Sequence, residues 1–236
     1  SVGVLAADEK VDALSFGTQI DETTSINESY ALIQFNRGQH NTAAAIRFTN
    51  HEDFGRHQTW NLDYQFQFQP WTRFYAGLGS AFRAPDHTDR FGSIGNPVLK
   101  PETSRSIELG LIVDVSDASR LQLSLFKNRI DNLIEADGSV TQMVNVDETE
   151  INGIEISYTN RLQHWNYGVN AVFQDPKNKT SNETLSRRAK SRINFQLGYR
   201  QSQWELALNA SLVSERDDSS FSDIILPRYE IFDVTA

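Results

Sequence analysis

The sequence predicts an all-β protein, a transmembrane antiparallel meander β-barrel, on three observations. Apolar and aromatic residues alternate with polar ones over long segments, which is the period of a strand with two unlike faces. Very short turns alternate with mostly long connections, as a meander barrel with two different rims requires. Aromatic residues (Trp60, Trp71, Tyr199, Trp204) gather at segment ends, where an interfacial girdle would place them.

Ser1–Val4 reads as strand, and 8–28 as a long polar connection. Alternation follows around Ala31–Ile33–Phe35 and Ile46–Phe48, on either side of the turn Arg37–Gly38–Gln39–His40. After the shorter connection 50–57 comes the clearest segment. There Trp60, Leu62, Tyr64, Phe66 and Phe68 interleave with Asn61, Asp63, Gln65, Gln67 and Gln69. Pro70 marks the next turn, and Phe74–Leu78–Phe82 leads into the long connection 84–103. Ile107–Val113, the turn Ser116–Asp117–Ala118 and Leu121–Leu123–Leu125 precede a third long connection, 130–149. Ile154–Ile156–Tyr158 and Trp165–Phe173 flank the turn Leu162–Gln163–His164, and 176–187 is again long. Ile193–Tyr199 and Trp204–Leu212 flank Gln201–Ser202, 215–227 is the last long connection, and Phe232–Ala236 is strand-like. That is about twelve strands, many of nine to twelve residues, the length a tilted strand needs to cross a bilayer. Lipid tolerates no unpaired sheet edge, so the strand-like ends predict a segment of a longer barrel. A soluble β-sandwich shares the alternation, but its Greek-key links mix connection lengths at both ends.

Composition narrows the functional classes. The chain has 236 residues, no cysteine and a formal charge of −9. Disulfide scaffolds and cysteine-based zinc sites or nucleophiles are therefore excluded. The acid excess argues against nucleic acid as the partner, because phosphate neutralisation needs clustered cations. No apolar run approaches a membrane helix, and no charged n-region with an apolar h-region opens the chain.

The connection after Phe82 carries the most specific signal. Ser80-Ala-Phe-Arg-Ala-Pro85 is followed by Gly95-Asn-Pro-Val-Leu-Lys-Pro-Glu-Thr-Ser104 and Arg105-Ser-Ile-Glu-Leu-Gly110. Its positions Phe82, Pro85, Asn96, Pro97, Leu99, Pro101, Glu102, Ser104, Glu108 and Gly110 resemble the barrel signature of TonB-dependent outer-membrane receptors. Pro97 and Pro101 stiffen an extended return path. Glu102 and Ser104 are expected to bond backbone donors where the next strand begins, with Glu108 on the lumen face and Gly110 leaving room there. Phe54-Gly-Arg-His-Gln-Thr-Trp60, Asp131-Asn-Leu-Ile134, Ile151-Asn-Gly-Ile-Glu155 and Leu185-Ser-Arg-Arg-Ala-Lys190 are similar, in order, to the cobalamin receptors of that family.

The resemblance implies a barrel of about 22 strands around an N-terminal plug. The plug, the first strands with their calcium-binding loops and the last strands are expected outside 1–236. No covalent cofactor is expected. The implied function is active uptake of cobalamin (vitamin B12) across the outer membrane of a Gram-negative bacterium, with no enzymatic activity. The implied partners are a corrinoid, TonB acting through the plug, and outer-membrane lipid and lipopolysaccharide. The receptor is expected to be a monomer, with a surface lipoprotein as a candidate cap over its loops. Three alternatives share parts of the pattern: a ferric-siderophore or haem receptor, a passive porin or outer-membrane enzyme, and a secreted adhesion protein. Asp8, Glu9, Asp12, Asp21, Glu22 and Glu28 against Lys10 favour a neutral or cationic ligand over an acidic catecholate.

Candidate ligand residues follow from the resemblance. Arg187 matches an arginine that contacts the corrinoid, and a guanidinium suits amide or phosphate acceptors. Strict alternation back from Ile193 gives Arg187 the outward face, and gives Arg188, Lys190 and Arg192 the lumen face. In 215–227, Phe221 is expected to cover the corrin face. Asp218 is a second candidate contact, although Asp217, Asp218 and Asp223 lack EF-hand spacing for calcium. His40, His51, His57, His87 and His164 show no metal-ligand spacing and read as surface histidines. Asp86-His87-Thr88-Asp89 lacks a nucleophile motif beside it and reads as a polar loop over the lumen mouth.

Overall fold

The computed structural model describes residues 1–137, 141–219 and 222–236. Twelve strands form one antiparallel sheet in which each pairs with its neighbour in sequence. They are β1 (Val2–Ser15), β2 (Thr18–Arg37), β3 (His40–His51), β4 (Gly55–Gln69), β5 (Thr72–Arg83), β6 (Glu102–Ser116), β7 (Ser119–Ala136), β8 (Met143–Leu162), β9 (Trp165–Asn178), β10 (Ser191–Gln201), β11 (Trp204–Val213) and β14 (Tyr229–Thr235). The short pair β12 (Arg216–Ser219) and β13 (Ser222–Leu226) forms a separate hairpin within the last long connection. One short helix, α1 (His87–Phe91), lies between β5 and β6. The sheet is open, with β1 and β14 at its edges.

Register keeps the two faces unmixed. Residues directly opposite in an antiparallel pair share a face. Ile46, Trp60, Leu78 and Ile107 therefore lie on one side with Leu125, Ile154, Phe173 and Ile193. Asp63, Gly77, Glu108 and Ser124 share the other face with Glu155, Asn170, Asn194 and Ser211. The apolar face stays uncovered, with Leu62 41%, Leu109 51%, Leu125 49% and Leu206 46% exposed. Extended contact among the described residues runs only between paired strands, apart from α1 against β2. Among the described residues no second sheet packs over the aromatic side, so the sandwich reading fails.

Two expectations need correction. Residues 8–28 are not a loop: β1 and β2 pair without interruption from Val2↔Ala31 to Ser15↔Thr18 around a turn at Phe16–Gly17. The expected connections 130–149 and 176–187 are likewise partly strand, since β7 runs to Ala136 and β9 to Asn178. These extensions stand beyond the apolar belt, where water wets both faces and alternation of hydrophobicity carries no energy.

Candidate functional site

The long connections gather at one end of the sheet, and most of the fully buried side chains lie there. Leu99, Leu133, Ile134, Leu185 and Val213 are each under a tenth exposed, as are Ile20, Thr24, Thr49, His51 and His87. The rim is therefore a packed platform.

The motif residues build one half of it. Glu102 Oε1 accepts from Arg83 Nη1 at 2.9 Å and from the Ile134 backbone N–H at 2.8 Å, which ties β5, β6 and β7 at their tops. Arg83 also pairs with Asp89 at 2.8 Å. Asn96 donates to the Met143 carbonyl at 2.9 Å and accepts from Val98 N–H at 3.1 Å. Asn145 closes the same seam, accepting from Lys100 N–H at 2.8 Å and donating to the Lys100 carbonyl at 2.9 Å. Leu99 is 4% exposed, Pro85 is buried, Pro97 faces solvent and Pro101 is half-buried before β6. Phe82 stacks on His57 with ring centroids 3.7 Å apart. Ser104 sits in the ladder opposite Ala81 and Ile130, so the backbone donor is taken by Glu102 and not by Ser104.

Glu108 and Gly110 lie lower, on the polar face. Glu108 accepts from Tyr75 Oη at 3.0 Å and from Ser124 Oγ at 2.5 Å, and Gln122 donates to Tyr75 Oη at 3.1 Å. The Tyr75 ring lies over Gly110, its cross-strand partner, where any Cβ would collide with the ring. The room that Gly110 leaves is filled by Tyr75.

Asp86-His87-Thr88-Asp89 is the start of α1, a capping box in which Asp89 N–H donates to Asp86 Oδ1 at 2.7 Å and Asp86 N–H to Asp89 Oδ2 at 3.2 Å. The spacing carried that signal. His87 and His51 are each 7% exposed, which corrects their reading as surface histidines. His87 Nε2 lies 3.5 Å from Thr24 Oγ1 on β2, and Arg90 pairs with Asp53 at 2.5 Å. His51 Nδ1 accepts from the Asp53 N–H at 3.2 Å. Burial holds the His51 pKa below the ordinary histidine value, against the opposing pull of Asp53.

The other half of the platform unites two of the three candidate ligand residues. Arg187 lies in the connection before β10, with φ at 58°, so strand alternation does not assign its face. Its backbone N–H donates to the Asp217 carbonyl at 2.7 Å. Its Nε donates to the Asp218 carbonyl at 3.0 Å and to Oδ1 at 3.1 Å. The Arg187 side chain remains 68% exposed, leaving the outer edge of the guanidinium for an acceptor. Arg188 pairs with Glu135 on β7 at 2.7 Å. Phe221 lies outside the described residues. Among the described residues no three His, Asp or Glu side chains are grouped to hold a metal ion.

Comparison with known proteins agrees with this architecture. The family described as "TonB dependent receptor-like, beta-barrel" matches residues 7–236. The vitamin B12 transporter BtuB of Vibrio vulnificus is 29% identical over 225 residues, covering 93% of this chain and 36% of the relative. This chain thus spans about a third of that protein's length. Among solved structures, the ferric enterobactin receptor PfeA of Pseudomonas aeruginosa aligns with a TM-score of 0.76 at 19% identity, over 91% of this chain and 38% of that one. The siderophore receptor PirA of Acinetobacter baumannii aligns with 0.76 at 15% identity, over 91% and 39%. The two structures share the fold. With the matched residues spanning nearly the whole sheet, the chain belongs to the TonB-dependent receptor β-barrel family.

Proposed function

We propose that this chain is barrel wall and loop rim of a receptor that takes up cobalamin across the outer membrane of a Gram-negative bacterium. The observation that carries the proposal is the meeting of 176–190 with the β12–β13 hairpin at Arg187 and Asp218, above an uncovered aromatic belt. The likeness to a vitamin B12 transporter supports the choice of ligand. In this reading Arg187 donates to amide or phosphate oxygens of the corrinoid. Asp218 holds that guanidinium in place, and Phe221 supplies apolar cover. A large neutral ligand suits a site of apolar walls with few oriented hydrogen bonds. The plug, the remaining strands and any calcium-binding loops belong to the rest of the receptor, and TonB supplies energy through the plug.

Calorimetry on the full-length receptor tests the proposal. Cyanocobalamin is expected to bind at micromolar concentration or tighter, and Arg187→Ala to weaken it about tenfold, the scale of one charge-assisted hydrogen bond. Binding of ferric enterobactin in place of cyanocobalamin would overturn the ligand assignment.

A further inference from the structure

The upper edge of the lumen face carries two cations without a matching carboxylate. Arg192, the second residue of β10, lies in a cross-strand row with Val172 on β9, Val213 on β11 and, beyond it, Tyr229 on β14. The lumen row beneath is neutral: Asn170, Asn194, Ser211 and Ile231, with Ser211 Oγ donating to Asn194 Oδ1 at 2.9 Å. Arg192 is exposed, whereas Val213 beside it is buried. Arg216, at the start of β12, is half-buried and sets its guanidinium carbon 5.3 Å from the centre of the Tyr229 ring, within cation–π range. Its Nη1 is buried with no hydrogen-bond partner among the described residues. Adjacent strands stand about 4.8 Å apart, so roughly 10 Å of sheet separates Arg192 from Tyr229. Two arginine side chains can close that span and meet over Val213.

Neighbouring arginines are already matched. Arg187 pairs with Asp218 at 3.1 Å and Arg188 with Glu135 at 2.7 Å. Among the described residues neither Arg192 nor Arg216 has such a partner. On a chain whose net charge is −9, this corner of the wall is a local reversal of sign. A cation set partly out of water keeps a field that bulk solvent would otherwise weaken. It draws an anion, and planar guanidinium donors fit phosphate oxygens in pairs. The hairpin also ties this row to the candidate ligand residues. Arg216 lies two residues before Asp218 on β12, and Asp218 holds Arg187.

We infer that Arg192 and Arg216, converging over Val213 with Tyr229 backing Arg216, form a subsite for the phosphodiester in the nucleotide arm of the corrinoid, below and apart from Arg187. The inference rests on the cobalamin reading proposed above and divides its ligand between two places. Arg187 on the hairpin meets the amides at the edge of the corrin, while the single anionic group of the ligand descends to the two unmatched cations. The neutral asparagine and serine row beneath offers that anion no second stop.

The test uses the full-length receptor in detergent and its double variant Arg192→Gln, Arg216→Gln, titrated calorimetrically with two probes. Cyanocobalamin carries the phosphodiester; dicyanocobinamide is the corrin without the nucleotide arm and so without the phosphate. The double variant is expected to bind cyanocobalamin at least about tenfold more weakly than the wild type at low salt, and dicyanocobinamide with unchanged affinity. Added salt is expected to weaken cyanocobalamin binding in the wild type more than in the variant. Should the double variant fail to fold, Arg192→Gln alone, at an exposed strand position, is expected to cost about threefold with cyanocobalamin and nothing with dicyanocobinamide. Unchanged affinity for cyanocobalamin in the variants would overturn the inference while leaving the cobalamin reading intact. Equal weakening of both probes would also overturn it, and would assign the two cations to carboxylates of the plug. A wild type that binds neither probe would overturn the cobalamin reading and this subsite with it.

Discussion

At the scale of single residues, the motif is a set of fasteners. Glu102 gathers a guanidinium and a backbone N–H from two strands onto one oxygen, and Gly110 accepts a tyrosine ring against its backbone. Gly110→Ala drives a methyl group into Tyr75 and breaks the bonds that Tyr75 makes with Glu108 and Gln122. Overpacking of this kind costs about 1–3 kcal/mol. In a Tyr75→Ala background the same substitution is expected to cost close to nothing. Thermal unfolding of the four receptors of this double-mutant cycle in detergent reads the coupling, and equal costs in both backgrounds would contradict it. The importance of Glu102 and Gly110 was legible in the sequence, because their chemistry is local to the motif. What each touches was not. Ile134 and Tyr75 lie some thirty residues away and reach them only through strand register. The face of Arg187 is not legible for a related reason: alternation ends at the start of β10, and the segment before it has left-handed backbone at Arg187.

At the scale of elements, strands were legible where they cross the belt and illegible where they leave it. Trp60–Gln69 alternates because one face meets an apolar medium and the other water. The β1–β2 hairpin pairs as regularly, yet Asp8, Glu9, Lys10 and Asp12 place charge on both of its faces. Its inner side packs against α1, where Thr24 lies 3.5 Å from His87, and Ile20 and Thr24 are buried. The turn between β3 and β4 supports that docking and carries a pH dependence. Burial lowers the His51 pKa, so the unfolded turn binds more protons than the folded one between the depressed value and the ordinary value near 6.5. The His51 contribution is therefore complete above about pH 6.5 and is lost as pH falls through that window. A proton on Nδ1 also removes the acceptor for the Asp53 N–H. The protection of amides across 51–57, taken relative to their intrinsic exchange rates at each pH, is expected to fall between pH 7 and pH 5, and His51→Gln to flatten that response. Protection in this turn that stays the same from pH 7 to pH 5 would contradict the assignment.

At the scale of the whole molecule, two surfaces of opposite character face away from each other with one layer of backbone between them. Nothing among the described residues covers the aromatic side, where Leu62, Leu109, Leu125 and Leu206 stand two-fifths to a half exposed and Trp204 74%. Burial of such a face is worth about 25 cal/mol per Å² of apolar area. The sheet accordingly needs an apolar medium on one side and an aqueous lumen on the other. Twelve strands in meander order and the division of short and long connections were legible in the sequence, since both follow from that arrangement. The spread of the rim into hairpins, a helix and a packed seam was not, because it depends on contacts between distant connections. The most direct measurement is accessibility of single nitroxide labels on the full-length receptor in lipid bilayers, placed at Leu62, Leu109, Leu125 and Leu206 and at Asp63, Gly77, Ser124 and Asn209. High collision with oxygen and low collision with a water-soluble nickel chelate are predicted at the first four, and the reverse at the second four. Protection from both reagents at Leu62, Leu109, Leu125 and Leu206 would show protein packed on that face and contradict the account.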